Sequence, residues 1–159
     1  MKKYDCLFIG NAIVDVVANV SFEFLKDQNI DVGSWRPTTL DEISQLQNKM
    51  ENILVASGGS AANSAVGFSL LGGKSSFIGR VKADEFGELY VKDLQDANVD
   101  FVSSAVSDGD ETGRCLVYVT PDAQRSMRTY LGAASNLSPD EINDSSVEES
   151  EFIYMEGYL

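Results

Sequence analysis

Hydrophobic and polar positions fall into short blocks separated by glycine, proline and capping residues. Tyr4-Asp5-Cys6-Leu7-Phe8-Ile9, ended by Gly10-Asn11, reads as a buried opening strand. Ala12 to Val20 alternates weakly and predicts a second, more exposed strand. Residues 21–38 show no period and read as irregular, with Phe22, Phe24, Leu25 and Trp35 as anchors. Thr39-Leu40-Asp41-Glu42 is a capping box, and Leu40, Ile43, Leu46 and Met50 behind it mark one apolar helical face. A strand is expected over Ile53-Leu54-Val55-Ala56, then a helix of small and apolar residues from Ala61 to Leu71, closed by Gly72-Gly73. Ser75 to Gly79 is the next strand. Asp84 can cap a helix to about Ala97, with Phe86, Leu89, Tyr90, Leu94 and Ala97 as its apolar side. Phe101-Val102 starts another strand. Arg114 to Thr120 and Ser126 to Leu131 read as two strands joined by the turn Pro121-Asp122-Ala123-Gln124. Ser138-Pro139-Asp140-Glu141 is a second capping box with proline at the first helical position. The acid-rich stretch to Glu151 reads as a solvated face or loop, and Phe152-Ile153-Tyr154-Met155 as a last buried-type strand.

Strands alternating with helices predict an α/β fold: a Rossmann-like, three-layer α/β/α parallel sheet. Residues from about 105 to 131 lack helices and suggest a small strand-rich appendage, joined by parts of 16–38. The sequence stops at Leu159, just after a strand and with no helix to cover it. Since parallel sheets need both faces covered, the expectation is the front part of a longer protein.

The composition sets limits. The chain has 159 residues, 43% hydrophobic and 23% charged, which is ordinary for one globular domain. Its net charge of −13 argues against nucleic-acid and anionic-membrane partners, because an acidic surface repels phosphate polymers. A small phosphate ligand stays open, since a few local arginines override the global field. No secretory leader pattern and no membrane-length apolar run occur in the sequence. Cys6 and Cys115 lie in apolar runs and read as buried thiols of a reducing cytoplasm. With no histidine, Ser-His and Cys-His catalysis and imidazole metal ligation are excluded for this chain.

The chemistry concentrates at Ser57-Gly58-Gly59-Ser60-Ala61-Ala62-Asn63. Two glycines at a strand end let backbone approach a ligand that a side chain would block, or simply make a tight turn. The helix start that follows offers free N–H groups to hydroxyls and anions. Asn63, one turn in, looks back at the same place. Asp15 in Gly10-Asn11-Ala12-Ile13-Val14-Asp15 follows the first strand, where open α/β sheets place ligands; it can accept from two vicinal hydroxyls, or merely cap a turn. Gly79 to Gly87 holds a second Gly/Asp cluster that reads as strand exit, helix cap and close-packing glycine. Arg125 and Arg128 suit phosphate or surface salt bridges. Neither a Walker A sequence nor a GxGxxG is present.

At these residues the chain resembles the ribokinase-like (PfkB-type) family of small-molecule kinases. The match runs through Gly58-Gly59-Ser60-Ala61-Ala62-Asn63-Ser64, Leu71-Gly72-Gly73, Phe77-Ile78-Gly79-Arg80-Val81 and Asp84-Glu85-Phe86-Gly87. Gly10 to Asp15, Thr112 to Val117 and Pro121 to Arg125 are most similar to the adenosine-kinase-like branch. The resemblance covers the whole chain but only the front half of a family member. It implies ATP- and Mg²⁺-dependent phosphoryl transfer to a primary hydroxyl of a nucleoside or sugar, with the strands of the appendage as a lid. By the same resemblance, Asp15, Gly58, Gly59 and Asn63, with Asn11 nearby, would hold sugar hydroxyls. Ile13, Met127, Leu131 and Tyr158 would line the base or lid side, and Arg125 would reach the transferred phosphate. Glu156 stands where ribose-kinase members carry a glutamate, so both nucleoside and sugar acceptors stay open. The family's Gly-Ala-Gly-Asp run, with its catalytic aspartate base, occurs nowhere in this sequence. The chain alone is therefore expected to be inactive, with the ATP site outside it, and a homodimer through the lid strands is expected. The alternative is a non-catalytic sugar- or nucleoside-binding module of the same fold. A nucleotide-binding oxidoreductase domain is disfavoured by the missing GxGxxG.

Overall fold

A computed structural model describes residues 2–157. Nine strands and five helices run in the order β1 (Tyr4–Ile9), β2 (Ile13–Asn19), α1 (Phe22–Asp27), β3 (Trp35–Pro37), α2 (Leu40–Gln47), β4 (Leu54–Gly58), α3 (Ser60–Leu70), β5 (Ser75–Ile78), α4 (Glu85–Asp96), β6 (Val99–Phe101), β7 (Gly113–Val119), β8 (Arg125–Tyr130), α5 (Asp144–Glu148) and β9 (Ser150–Met155).

The strands form two sheets. The first is wholly parallel, in the order β6-β5-β1-β9. Helices α3 and α4 cover one face, where Phe8, Phe77, Tyr90 and Leu94 are buried together with Ala61, Ala62 and Ala65. The small side chains of α3 let it lie close to the sheet. Leu137, Ile142 and Val147 of the 3₁₀ and α5 segment cover the other face, over Leu7, Ile9 and Ile78. This is the expected three-layer α/β/α arrangement. The second sheet is mixed, in the order β3-β8-β7-β2-β4. Helices α1 and α2 pack Leu25, Ile43 and Leu46 against Val16, Leu116 and Tyr118 on one of its faces.

Several local expectations hold for the stated reasons. Thr39 Oγ1 accepts from the Glu42 N–H and starts α2. The Asp84 carboxylate accepts from the Gly87 N–H at 2.8 Å and caps α4. It also accepts from the Thr112 N–H at 2.9 Å and the Thr112 hydroxyl at 2.6 Å. One acid thus ties the start of α4 to the segment that leads into β7. Gly87 belongs to the same joint: a Cβ there would lie 1.9 Å from the Lys82 carbonyl oxygen. That neighbour is backbone and cannot rotate away, so Gly87→Ala is expected to lower unfolding stability by about 3 kcal/mol, read from urea denaturation. The Gly79–Gly87 cluster is in this way accounted for as strand exit, cap and close approach.

Other expectations are corrected. β2 is not the more exposed strand; it lies between β7 and β4, and Val14 and Val16 are fully buried. Residues 21–38 are not wholly irregular: Ser21 Oγ accepts from the Phe24 N–H and caps α1, and residues 35–37 pair with β8. Of the anchors, Leu25 is buried, but Trp35 is 60% exposed. β4 joins the second sheet antiparallel to β2, so this sheet takes in more chain than the helix-free stretches suggested. The capping box at Ser138 forms but opens only a 3₁₀ turn over 139–141, because Ile142 is extended; α5 starts afresh with Asn143 as its cap. β9 is not buried: it is an edge strand, with Phe152 69% and Met155 64% exposed.

Candidate acceptor site

The site forms where β2 and β4 run side by side before α3 begins. Register pairs Ile13 with Gly58 and Asp15 with Ala56. The half-buried Asp15 carboxyl leans over Gly58, so closely that a Cβ on Gly58 would stand 2.4 Å from Oδ2. Gly59 has φ +88° and caps α3 without a side chain; a Cβ there would meet the Asn11 carbonyl oxygen at 2.4 Å. The two glycines thus do different things: the first makes room for an acid, the second for a backbone carbonyl. The Tyr90 hydroxyl donates to the Gly58 carbonyl at 3.4 Å, and the Ser57 N–H donates to Asp93 at 2.7 Å, fixing this turn from below through α4. Asn63 sits in the first turn of α3 with an exposed side chain, and its N–H donates to the Gly59 carbonyl at 2.9 Å.

Burial raises the Asp15 pKa above the ordinary carboxylate value, and the positive charge of Arg125 works against that rise. Arg125, the first residue of β8, is exposed, and the β7–β8 turn places it there: the Thr120 hydroxyl donates to Asp122 at 2.6 Å and Ala123 takes φ +62°. Alternation along β8 puts Arg125, Met127 and Thr129 on one face and Ser126, Arg128 and Tyr130 on the other. Register extends the first face to Cys115, Val117 and Val119 of β7 and to Ile13, Asp15 and Val17 of β2. Ile13, Cys115, Val117 and Met127 form a continuous apolar cluster there. Arg128 is on the opposite face, 4% exposed, donating to Ser34 Oγ and the Met127 carbonyl; it is neither a surface ion pair nor part of the site.

The remaining expected residues divide. Leu131 follows β8, is 38% exposed, and has its carbonyl packed against Gly113. Glu156 lies at the start of α3, where it accepts from the Ser60 hydroxyl at 2.5 Å and the Tyr154 hydroxyl at 3.2 Å. Tyr158 lies outside the described residues. Sequence reasoning missed Cys115 as a neighbour of Asp15. Only the parallel register of β2 and β7, a hundred residues apart in sequence, brings the two together. Burial pushes the Cys115 thiol up to about 11, so it is a neutral part of the floor. Among the described residues no group of three or more His, Cys, Asp or Glu side chains converges as metal ligands. Among the described residues no helix is long and apolar enough to cross a membrane. A cavity of about 370 Å³ between Lys3, Tyr4, Lys74 and Asp100 lies at the amino ends of the parallel strands, the wrong end for an open α/β sheet.

The glycine turn, the Asp15 carboxyl within β2 and Arg125 on the same face of the mixed sheet are polar groups able to hold a small hydroxylated molecule. Residues 6–159 match the pfkB family carbohydrate kinase, and the chain belongs to that family. It is similar to the solved adenosine kinase from Sinorhizobium meliloti, at 39% identity and a TM-score of 0.90 over 99% of this chain and 48% of that one. A probable sugar kinase from Rhizobium etli gives 36% identity and a TM-score of 0.91 over 100% of this chain and 48% of that one. The 5-dehydro-2-deoxygluconokinase of Bacillus licheniformis is 26% identical over 98% of this chain and 42% of its own length. The chain thus spans less than half of each of these relatives.

Proposed function

We propose that this chain supplies the acceptor-binding part of a kinase that transfers the ATP γ-phosphoryl group to a primary hydroxyl of an adenosine-like nucleoside or a sugar. The observation that carries the reading is the half-buried Asp15 carboxylate seated against Gly58, on the sheet face that Arg125 also serves. A carboxylate with both oxygens available accepts from two vicinal hydroxyls, and it does so more strongly where water is partly excluded. Asn11, whose carbonyl lies against Gly59, and Asn63, in the first turn of α3, are assigned to the remaining hydroxyls. In this reading Arg125, on a strand of the second sheet, neutralises charge on the group in transit, and the sheet itself serves as a lid against water. ATP with Mg²⁺, when bound, supplies the phosphoryl group and screens its charge. The residues described here fit the acceptor and the transferred phosphate, and the proton acceptor is assigned to a segment this sequence does not contain. Pairing of two copies through the second sheet belongs to the same reading, as does a cytoplasmic location; a monomer mass in sedimentation removes the pairing.

The test is phosphoryl transfer from ATP to adenosine, ribose and fructose, by this chain and by a form as long as the solved relatives. The chain alone is expected to be silent and the longer form active. In the longer form, Arg125→Ala is expected to lower kcat by about a thousandfold with a small change in acceptor KM, since its charge matters most in transit. Silence of the longer form on a broad nucleoside and sugar panel overturns the kinase reading. Turnover by the chain alone overturns the placement of the proton acceptor.

A further inference from the structure

We infer that Trp35 is the wall against which a flat heteroaromatic ring of the acceptor stacks, which makes the acceptor a nucleoside and not a free sugar. The inference rests on the acceptor reading above and names the substrate class of that same site. Trp35 is the only tryptophan of the chain and is 60% exposed, which is unusual for so large an apolar side chain. It is not loose: its indole Nε1–H donates to Thr129 Oγ1 at 3.1 Å. The Thr129 hydroxyl in turn donates to Cys115 Sγ at 3.3 Å, and Cys115 is the register partner of Asp15. Asp15, Cys115, Thr129 and the indole edge therefore stand in one row across β2, β7 and β8, on one face of the sheet. Adjacent strands lie about 4.8 Å apart, so the indole begins roughly 10 Å from the Asp15 position along this row. Met127, the register partner of Trp35, and the neutral Cys115 form the apolar floor between them.

A free pentose or hexose hydrogen-bonded to Asp15 is too short to reach the indole and would leave that floor wet. A ribose on Asp15 that carries a planar base spans the row, covers Cys115 and Met127, and brings its π-face to a ring whose orientation is already fixed.

The experiment is equilibrium titration of the chain with adenosine, ribose and fructose, followed in parallel by calorimetry and by tryptophan emission, which reports Trp35 alone. Adenosine is expected to bind and to quench or shift the emission; the two sugars are expected to leave it unchanged. Trp35→Ala should weaken adenosine about tenfold, the size of one lost base–aromatic stack, while Trp35→Phe restores most of the affinity. Asp15→Asn should weaken adenosine and any measurable ribose binding alike. Adenosine binding with unchanged emission, or with equal affinity in Trp35→Ala, overturns the role of Trp35 and leaves the acceptor reading standing. No calorimetric binding of any of the three compounds overturns the acceptor reading, and this inference with it.

Discussion

Asp15→Asn is expected to abolish most acceptor binding and, at neutral pH, to make the protein more stable. The two effects share one cause. Folding takes the carboxyl out of water against Gly58 and the Ile13–Cys115 floor, and this burial raises its pKa despite the pull of Arg125. For an acid whose pKa is higher folded than unfolded, the unfolded chain releases its proton first as pH rises. Stability therefore falls as pH rises from the unfolded value, 3.8, through the raised folded value, and stays lower above it. Asparagine has nearly the same shape and no charge to desolvate, so the substitution removes that penalty. The melting temperature of Asp15→Asn should exceed that of the wild type at pH 7, and the gap should close below the unfolded pKa, where both side chains are neutral. Binding moves the other way. An amide cannot accept from two hydroxyls with both of its heavy atoms, and the lost charge-assisted bonds amount to about 3 kcal/mol, roughly a hundredfold in affinity. A scan of melting temperature against pH, with calorimetric titration of adenosine, reads both. A variant that lost binding and stability together would identify Asp15 as a structural residue of the β2–β4 joint.

The parts of this protein that were legible in sequence are those whose cause is local. The Thr39 and Asp84 caps, the β7–β8 turn and the glycine closure of α3 each rest on a few neighbouring residues with one physical job. The second sheet was only partly legible, because its order depends on pairing between strands far apart in sequence. β2 reads as the more exposed strand from its own weak alternation, yet Val14 packs into the cluster with α3 and α4 and Val16 into the cluster with α1 and α2. β9 shows the opposite: four consecutive large apolar residues read as buried, and the strand lies at an edge. The site divides along the same line. Gly58, Gly59 and Asn63 sit where β4 gives way to α3, and there sequence carries a signal; Asp15, expected just after the first strand, lies inside β2. Cys115, Thr129 and Trp35 enter the same face only through register, and nothing in their local sequence separates them from ordinary core or loop residues.

The paired glycines are separable by experiment. Gly59→Ala is expected to cost about 4 kcal/mol in stability, a fall of roughly 12 °C in melting temperature for a domain of this size. Two contributions add. A φ of +88° is one that residues with a Cβ rarely adopt, and the new Cβ would lie 2.4 Å from the Asn11 carbonyl oxygen, which is backbone and can yield only by moving the β1–β2 connection. Gly72→Ala supplies the control, since Gly72 has φ +93° with nothing within 4 Å of its Cβ position. It carries the conformational part alone, about 1 kcal/mol, and the difference between the two variants isolates the clash. Gly58→Ala should behave otherwise. Its Cβ would meet the Asp15 carboxyl at 2.4–2.8 Å, and a side-chain end can turn aside. The expected result is a smaller loss of stability than in Gly59→Ala, together with a loss of acceptor affinity close to that of Asp15→Asn, because the displaced carboxylate no longer faces the hydroxyls. Thermal melts and adenosine titrations of the three variants decide the matter: equal binding by Gly58→Ala and wild type would mean that the first glycine serves the turn and not the ligand.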